Sequence, residues 1–439
     1  MKPDCAFLNV YMKVLQQKRR FFSWKLTILG RPGGVVTYND GQPNNIVWDL
    51  HGASVFYADG IYTAVGFCRR YRNIFLITSP DGIHWDDSDH LEPVAQRDNE
   101  GCFNVVWDEM TSQYRGFALS RGGAEEVKIR GSTTDTTTWA KRLIFTCTAP
   151  ELAGPWTDLE PCLRATADDD EVAQSRPAEG LITRAGSGVP DTGAVDSRPL
   201  HAEVHNLSAF RCGQLWIGLA GFLYVEGDGY PGGGMPSDGC IESQMVWSYD
   251  GVDWHHADEA RTPAIPRSPA GQGFDHGMII GTAKEPVVDG TTGELHWYYT
   301  GATCTHGSAL RDRKKCIGRA TWRPNGFVSL DAVDETAGFE TVALQVPSGA
   351  GGLQVEVNAD VRGELVVSLL ATDGSVAAES DAVTGDDTAH VLRWPGGTAA
   401  LPAVGGGAAC KLRFRARQSQ LFTFRFAPLE GHAASAASL

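Results

Sequence analysis

Long apolar runs are missing from this sequence. No stretch approaches the roughly 20 consecutive apolar residues that a membrane-crossing helix needs. The first twenty residues, MKPDCAFLNVYMKVLQQKRR, lack the compact apolar core of a signal peptide. No membrane partner is expected, and the compartment stays open. Positive charge is also scarce: 38 Lys and Arg against 53 Asp and Glu leave a formal net charge of -15. Nucleic-acid binding draws on clustered Lys and Arg that would have to outweigh this field, so no nucleic-acid partner is expected, and the short run Lys18-Arg19-Arg20 reads as a solvated terminus. Close cysteine pairs are absent as well. The ten cysteines (Cys5, Cys68, Cys102, Cys147, Cys162, Cys212, Cys240, Cys304, Cys316 and Cys410) contain no C-x-x-C spacing, and no H-E-x-x-H segment occurs. Neither a metal nor a cofactor is therefore expected, and buried free thiols are the plainest reading of most of the cysteines. The final Ala437-Ser438-Leu439 lacks the Lys of a peroxisomal ending.

What remains is the composition of a many-stranded globular chain. Its 439 residues exceed what one core comfortably fills. Its 51 glycines and 12 tryptophans suit turns and sheet faces respectively. The strongest internal signal is a recurring ending. Ser79-Pro80-Asp81-Gly82-Ile83-His84-Trp85 and Ser248-Tyr249-Asp250-Gly251-Val252-Asp253-Trp254 share the pattern S-x-D-G-x-x-W, with looser copies at Thr148 to Trp156 and Arg323 to Phe327.

Ahead of each ending lies an apolar strand, a polar or glycine turn and an aromatic strand: ASVFYADGIYTAVGF, FNVVWDEMTSQYRGFAL, LSAFRCGQLWIGLAGF and PVVDGTTGELHWYYTG. Such pairs are hairpins. Units of about four short strands cannot bury both faces alone, so they pack in a ring as propeller blades. A sandwich array is the alternative, since D-G turns occur in any β protein. Four units start near Trp48, Asp98, Glu203 and Asp275, and the segment from Phe22 to Val47 resembles the tail of a fifth whose first strands are missing.

The expected fold is therefore all-β, a five-bladed-type β-propeller with an incomplete first blade followed by a β-sandwich. The expected domains are an N-terminal extension at 1–21, the propeller at 22–335, the sandwich at 336–428 and a disordered tail at 429–439. Alternating apolar and basic residues from Lys411 to Arg417 and from Leu421 to Phe426 give the sandwich one buried and one wet face. Residues 165–196 and 226–238, rich in Asp, Gly and Pro, read as rim loops.

Several segments carry a family resemblance: Asn44-Asn45-Ile46-Val47, Ser79 to Trp85, Arg261 to Pro266, Gly273-Phe274-Asp275-His276-Gly277-Met278-Ile279, Tyr298-Tyr299-Thr300-Gly301 with His306, and Ile317 to Leu330. Together they resemble the predicted glycoside hydrolases related to the invertase, levanase and arabinanase clan, which are like glycosyl hydrolase family 32. That resemblance implies a carbohydrate substrate and a hydrolase that cleaves a fructosyl, arabinosyl or related glycosidic bond. The alternative is a non-catalytic carbohydrate-binding or interaction propeller that has lost a catalytic carboxylate.

Glycosidases place two carboxyl groups on either side of the scissile bond, one protonated and one ionised. In the resembled clan the acids stand at the starts of innermost blade strands. On that pattern the catalytic candidates are Asp49, Asp98 and Glu203, with Glu203 as the acid. His51, Glu100, His205, Asp275, His276 and Glu285 are the candidate substrate-binding residues. Glu203 sits between His201 and His205, which can tune its protonation or bind hydroxyls. Its plain alternative is a strand-start Glu bonded to Arg198 or Arg211. Trp48, Trp107, Trp216, Trp247 and Trp297 offer indole faces for a sugar ring, although blade packing accounts for most of them.

Overall fold

Both copies of the S-x-D-G-x-x-W ending fold into the same wired turn. In the first, Ser79 Oγ donates to Asp81 Oδ1 at 3.2 Å and accepts the Gly82 amide at 2.8 Å, while the Trp85 indole donates to the Gly82 carbonyl at 3.1 Å. In the second, the corresponding distances for Ser248, Asp250, Gly251 and Trp254 are 3.0, 2.9 and 3.2 Å. Gly82 and Gly251 have φ of 71° and 76°, a left-handed conformation that only glycine adopts at little cost. The repeat is thus a turn closure whose tryptophan caps the end of a sheet.

The structure is a computed structural model that describes residues 37–38, 42–43, 50–68, 71–82, 85, 93–95, 101–128, 136–175, 200–228, 237–269, 271–307, 315–346, 352–371, 373–403 and 409–429. Strands β1 (Thr37–Tyr38) and β2 (Gln42–Pro43) form a two-residue ladder. The rest of the incomplete blade expected at 22–47 lies outside the described residues. Four sheets follow in chain order. The first holds β3 (Leu50–Ala58), β4 (Ile61–Cys68) and β5 (Asn73–Ser79). The second holds β6 (Phe103–Asp108), β7 (Gln113–Lys128), β8 (Thr136–Ala149) and β9 (Glu160–Leu163).

Helix α1 (Ala167–Ser175) precedes the third sheet, built from β10 (His201–Cys212), β11 (Leu215–Asp228), β12 (Ser237–Ser248) and β13 (Trp254–His256). The fourth has β14 (Met278–Thr282), β15 (Val287–Val288), β16 (Leu295–Ala302) and β17 (Lys315–Trp322), with β16 pairing to the other three.

The first three sheets meander antiparallel from their first strand outward, and each of the four buries apolar residues against its neighbours. Val65 and Ile74 of the first sheet share a core with Phe103 and Val105 of the second. Val106, Phe117 and Ile144 of the second pack with Val204, Phe222 and Tyr224 of the third. Leu223, Val225 and Ile241 of the third meet Met278 and Ala302 of the fourth. This is a β-propeller arrangement, with four blades among the described residues, and it follows from sheets whose two faces are both apolar.

The chain divides into two units, one of Lys18–Val288 with His296–Thr321, which holds the blades, and one that includes Asp289–Leu295 and Trp322–Leu439. In the second, β18 (Leu330–Ala332), β19 (Ala337–Glu340) and β20 (Leu344–Gln345) pair with one side of β24 (Ala409–Pro428). Strand β21 (Leu353–Leu370) runs along its other side and carries β22 (Val376–Glu379) and β23 (Val383–Val391). The β21–β24 register breaks between Val361 and Glu364. Val355 and Val357 before that break share one core with Leu365, Val367 and Leu369 beyond it, together with Trp394, Leu412 and Phe414. Inward residues from both halves of the long strands meet, as a sandwich requires. The opposite face of β24 presents Arg413, Arg415 and Arg425, paired with Glu340, Glu379 and Glu356. No helix among the described residues is long and apolar enough to cross a membrane.

Candidate functional site

Side chains on the first strand of each blade tie it to the next. The Val105 amide donates to Ser54 Oγ at 2.7 Å, Asn104 Nδ2 to the Leu207 carbonyl at 2.7 Å, Asn206 Nδ2 to the Ile280 carbonyl at 3.0 Å, and Ser208 Oγ to the Thr282 carbonyl at 3.0 Å. Moving from Asn206 to Ser208 on β10 moves from Ile280 to Thr282 on β14, so these two inner strands run parallel and in step. Asn104, Asn206 and Ser208 are each buried, where an unmade hydrogen bond is costly. The inner strands therefore begin at one end of the ring.

Glu203 is the third residue of β10 and is completely buried. Its Oε1 accepts the Trp139 indole N–H at 2.7 Å and the His201 Nε2 proton at 2.9 Å, and its Oε2 accepts Arg142 Nη1 at 2.6 Å. A carboxylate can only accept, so His201 carries its proton on Nε2. Burial alone would raise the Glu203 carboxyl, but the His201 hydrogen bond, the charges of Arg142 and His201 and the Trp139 indole together bring it down to about 2. Glu203 is thus held ionised, which is the state of a nucleophile, base or fixed negative charge rather than of a proton donor. The partner is Arg142; Arg211 instead binds Asp108 at 3.0 Å, and Arg198 lies outside the described residues.

A second ion pair stands beside the first. Lys141 Nζ donates to both oxygens of Asp170 at 2.8 and 2.7 Å, and Asp170 Oδ1 also accepts the Ala202 amide at 2.9 Å. Asp170 belongs to α1, whose start is fixed by Asp169: its Oδ2 accepts the Thr166 amide at 2.7 Å and its Oδ1 accepts Arg261 Nε at 2.7 Å, with His256 Nε2 at 3.4 Å. Burial pushes Asp169 up, while His256, Thr166 and Arg261 outweigh it and hold the carboxyl well below the usual range. Neighbouring residues 141 and 142 thereby pin both α1 and the start of β10.

The other candidates fall into distinct settings. Asp275 is fully buried, with Oδ1 accepting the Ser268 amide at 3.1 Å and the Ser268 hydroxyl, and Oδ2 accepting the Tyr299 hydroxyl at 2.8 Å. It organises the loop before β14 that carries His276. His276 is half-buried, its Nδ1 is 3.0 Å from the Gly273 carbonyl, and its own carbonyl accepts Arg267 Nη1 at 2.6 Å. His205 meets His306 edge to face, with centroids 5.0 Å apart, and His306 Nδ1 lies 3.1 Å from the Ser237 carbonyl.

Glu285 is exposed, pairs with Lys284 at 3.0 Å and follows the end of β14, whereas Asp275 precedes its start. The structure therefore does not bring Glu285 together with Asp275. His51 pairs with Phe67 across β3 and β4. Asp49, Asp98 and Glu100 lie outside the described residues. Among the described residues no group of three or more His, Cys, Asp or Glu is arranged to hold a metal ion.

Trp139 and Arg142 were not among the sequence candidates. A signal existed: Lys141-Arg142 sits directly against Leu143-Ile144-Phe145 within a single strand, and a cation in an apolar run needs a buried carboxylate partner.

No protein-family model and no curated protein matches the sequence. Solved structures match it at low identity and low TM-score. An exo-β-1,3-galactanase from Phanerochaete chrysosporium is 11% identical with a TM-score of 0.29, covering 90% of this chain and 99% of that one. A family 43 arabinoxylan arabinofuranohydrolase from Bacillus subtilis is 12% identical with a TM-score of 0.34, covering 91% and 83%. A family 32 β-fructofuranosidase from Bombyx mori is 8% identical with a TM-score of 0.33, covering 88% and 80%. At this similarity the reading of the site rests on its own residues.

Proposed function

We propose that this chain is a glycoside hydrolase whose site lies at the end of the propeller where the inner strands begin, acting on a fructosyl, arabinosyl or related sugar linkage. The observation that carries the reading is Glu203, an ionised carboxylate fixed at the start of an inner strand that runs in step with its neighbours. Leu207 is level with Asn104, and Ser54 with Val105. In the sequence Glu203 precedes Leu207 by four residues, as Glu100 precedes Asn104, and Asp49 precedes Ser54 by five. Asp98 comes two residues before Glu100.

Glycosyl transfer needs one carboxyl protonated and one ionised. Glu203 supplies the fixed negative charge that favours an oxocarbenium-like transition state, and the proton donor is then Asp49 or Asp98. His276, His205, His51 and Glu100 are assigned to sugar hydroxyls.

A specific observation favours a second reading, that of a carbohydrate-binding propeller without catalysis. Both Glu203 oxygens are engaged by Trp139, His201 and Arg142, and the side chain has no exposed surface. The deciding experiment assays wild type, Asp49→Asn, Asp98→Asn and Glu203→Gln on a panel of aryl glycosides. A hydrolase predicts turnover by wild type and a loss of about a hundredfold or more in at least two variants. Oligosaccharide binding with no turnover on any member of the panel supports the second reading.

A further inference from the structure

We infer that Trp139 is a sugar-stacking residue, a ring platform held from behind by the buried Glu203 carboxylate. This assignment rests on the carbohydrate reading above. Trp139 is half-buried, and its indole N–H is committed to Glu203 Oε1 at 2.7 Å. The His201 ring lies against it, centroids 5.5 Å apart and tilted by 51°. Glu203 is in turn fixed by Arg142 and His201. A side chain with no exposed surface does not touch a sugar, but it sets the orientation of one that is partly exposed.

Strands β6, β7 and β8 alternate in direction, so β8 runs with β6. Trp139, near its start, therefore stands at the inner-strand start end of the blade, where it meets Glu203. An indole face takes the apolar face of a pyranose or furanose, and a ring already locked in place loses little freedom on binding. Other described tryptophans fit less well. Trp216, Trp297 and Trp394 are fully buried. Trp107 is 41% exposed but closes the far end of β6, next to Asp108. Trp247 is next to last in β12, which runs with β10, so it stands at the other end of its blade.

The test is calorimetric titration of wild type, Trp139→Ala, Trp139→Phe and Trp107→Ala with arabino-, fructo-, xylo- and galacto-oligosaccharides. Trp139→Ala is expected to weaken binding about tenfold or more. Trp139→Phe, which keeps a ring but loses the N–H anchor, falls between it and wild type, and Trp107→Ala stays within about twofold of wild type. In parallel, the Trp139 indole proton, followed by NMR in deuterated buffer, should exchange slowly because a buried carboxylate holds it.

Wild-type affinity in Trp139→Ala, or the loss appearing in Trp107→Ala instead, overturns the assignment and leaves the carbohydrate reading standing. Rapid indole exchange overturns the fixed platform. Wild type that binds no member of the panel overturns the carbohydrate reading and this assignment with it.

Discussion

Arg142 Nη1 lies 2.6 Å from Glu203 Oε2, and the two side chains are 6% and 0% exposed. Arg142 comes from the third strand of the second blade and Glu203 from the first strand of the third, so this ion pair is also a joint between blades. Removing one partner strands a buried charge, which costs about 3–5 kcal/mol, whereas removing both does not. Arg142→Met alone should therefore lower unfolding free energy in urea by about that amount, and Arg142→Met with Glu203→Met should recover part of the loss. Additive single losses in the double variant would show that the pair is not coupled.

The same carboxyl predicts a pH dependence. Glu203 is brought from its ordinary 4.5 down to about 2 in the folded protein. A lowered folded value means that its stabilisation is complete above about 4.5 and is lost as pH falls toward 2. Wild-type stability should decline through this window more steeply than that of Glu203→Gln, measured by denaturant titration at each pH. Parallel curves would count against an ionised Glu203.

The repeated turns should tolerate alanine unequally. The nearest atoms to a Cβ on Gly82 would be those of the Tyr62 ring at 3.4 Å, while one on Gly251 would stand 3.1 Å from both Arg115 and the Trp216 indole. Each substitution incurs a left-handed backbone cost of about 1–2 kcal/mol. Gly251→Ala should exceed Gly82→Ala in loss of stability, because Trp216 is fully buried and cannot move aside.

The inter-blade ladder makes a local prediction. Ser54→Ala leaves the buried Val105 amide without its 2.7 Å acceptor, at about 1–3 kcal/mol. Hydrogen exchange should speed up at Val105 before it changes at Ala359 in the other unit.

Thiol chemistry should follow burial. Burial pushes the Cys102 thiol up to about 12, so iodoacetamide at pH 8 should leave it untouched in the native protein, while half-buried Cys316 is alkylated. Mass mapping before and after denaturation reads this directly.

Local residue chemistry made much of the architecture legible. The S-x-D-G-x-x-W turns need a serine, an aspartate, a left-handed glycine and a tryptophan within seven positions, so a one-dimensional pattern reveals them. Hairpins such as Leu207 to Phe222 announce themselves because both strands are apolar and the turn at Gly213 is short. Glu203 was visible for a similar reason, as an acid at the start of an apolar strand.

His201 was visible beside it, but the pairing with Arg142 and Trp139 was not, because they precede it by 61 and 64 residues. Sequence carries no distance between strands of different blades. The protonation state of Glu203 was hidden for the same reason, since it depends on which donors converge after folding. Glu285 shows the converse: close to Asp275 in the chain, it is carried past the end of β14 to the opposite end of the strand. The amino-acid sequence by itself determined the strands, the turns and the buried faces, whose causes lie within a few residues of one another. Only the tertiary structure decided which charges meet, because Coulombic and hydrogen-bond energies depend on separations that packing alone sets.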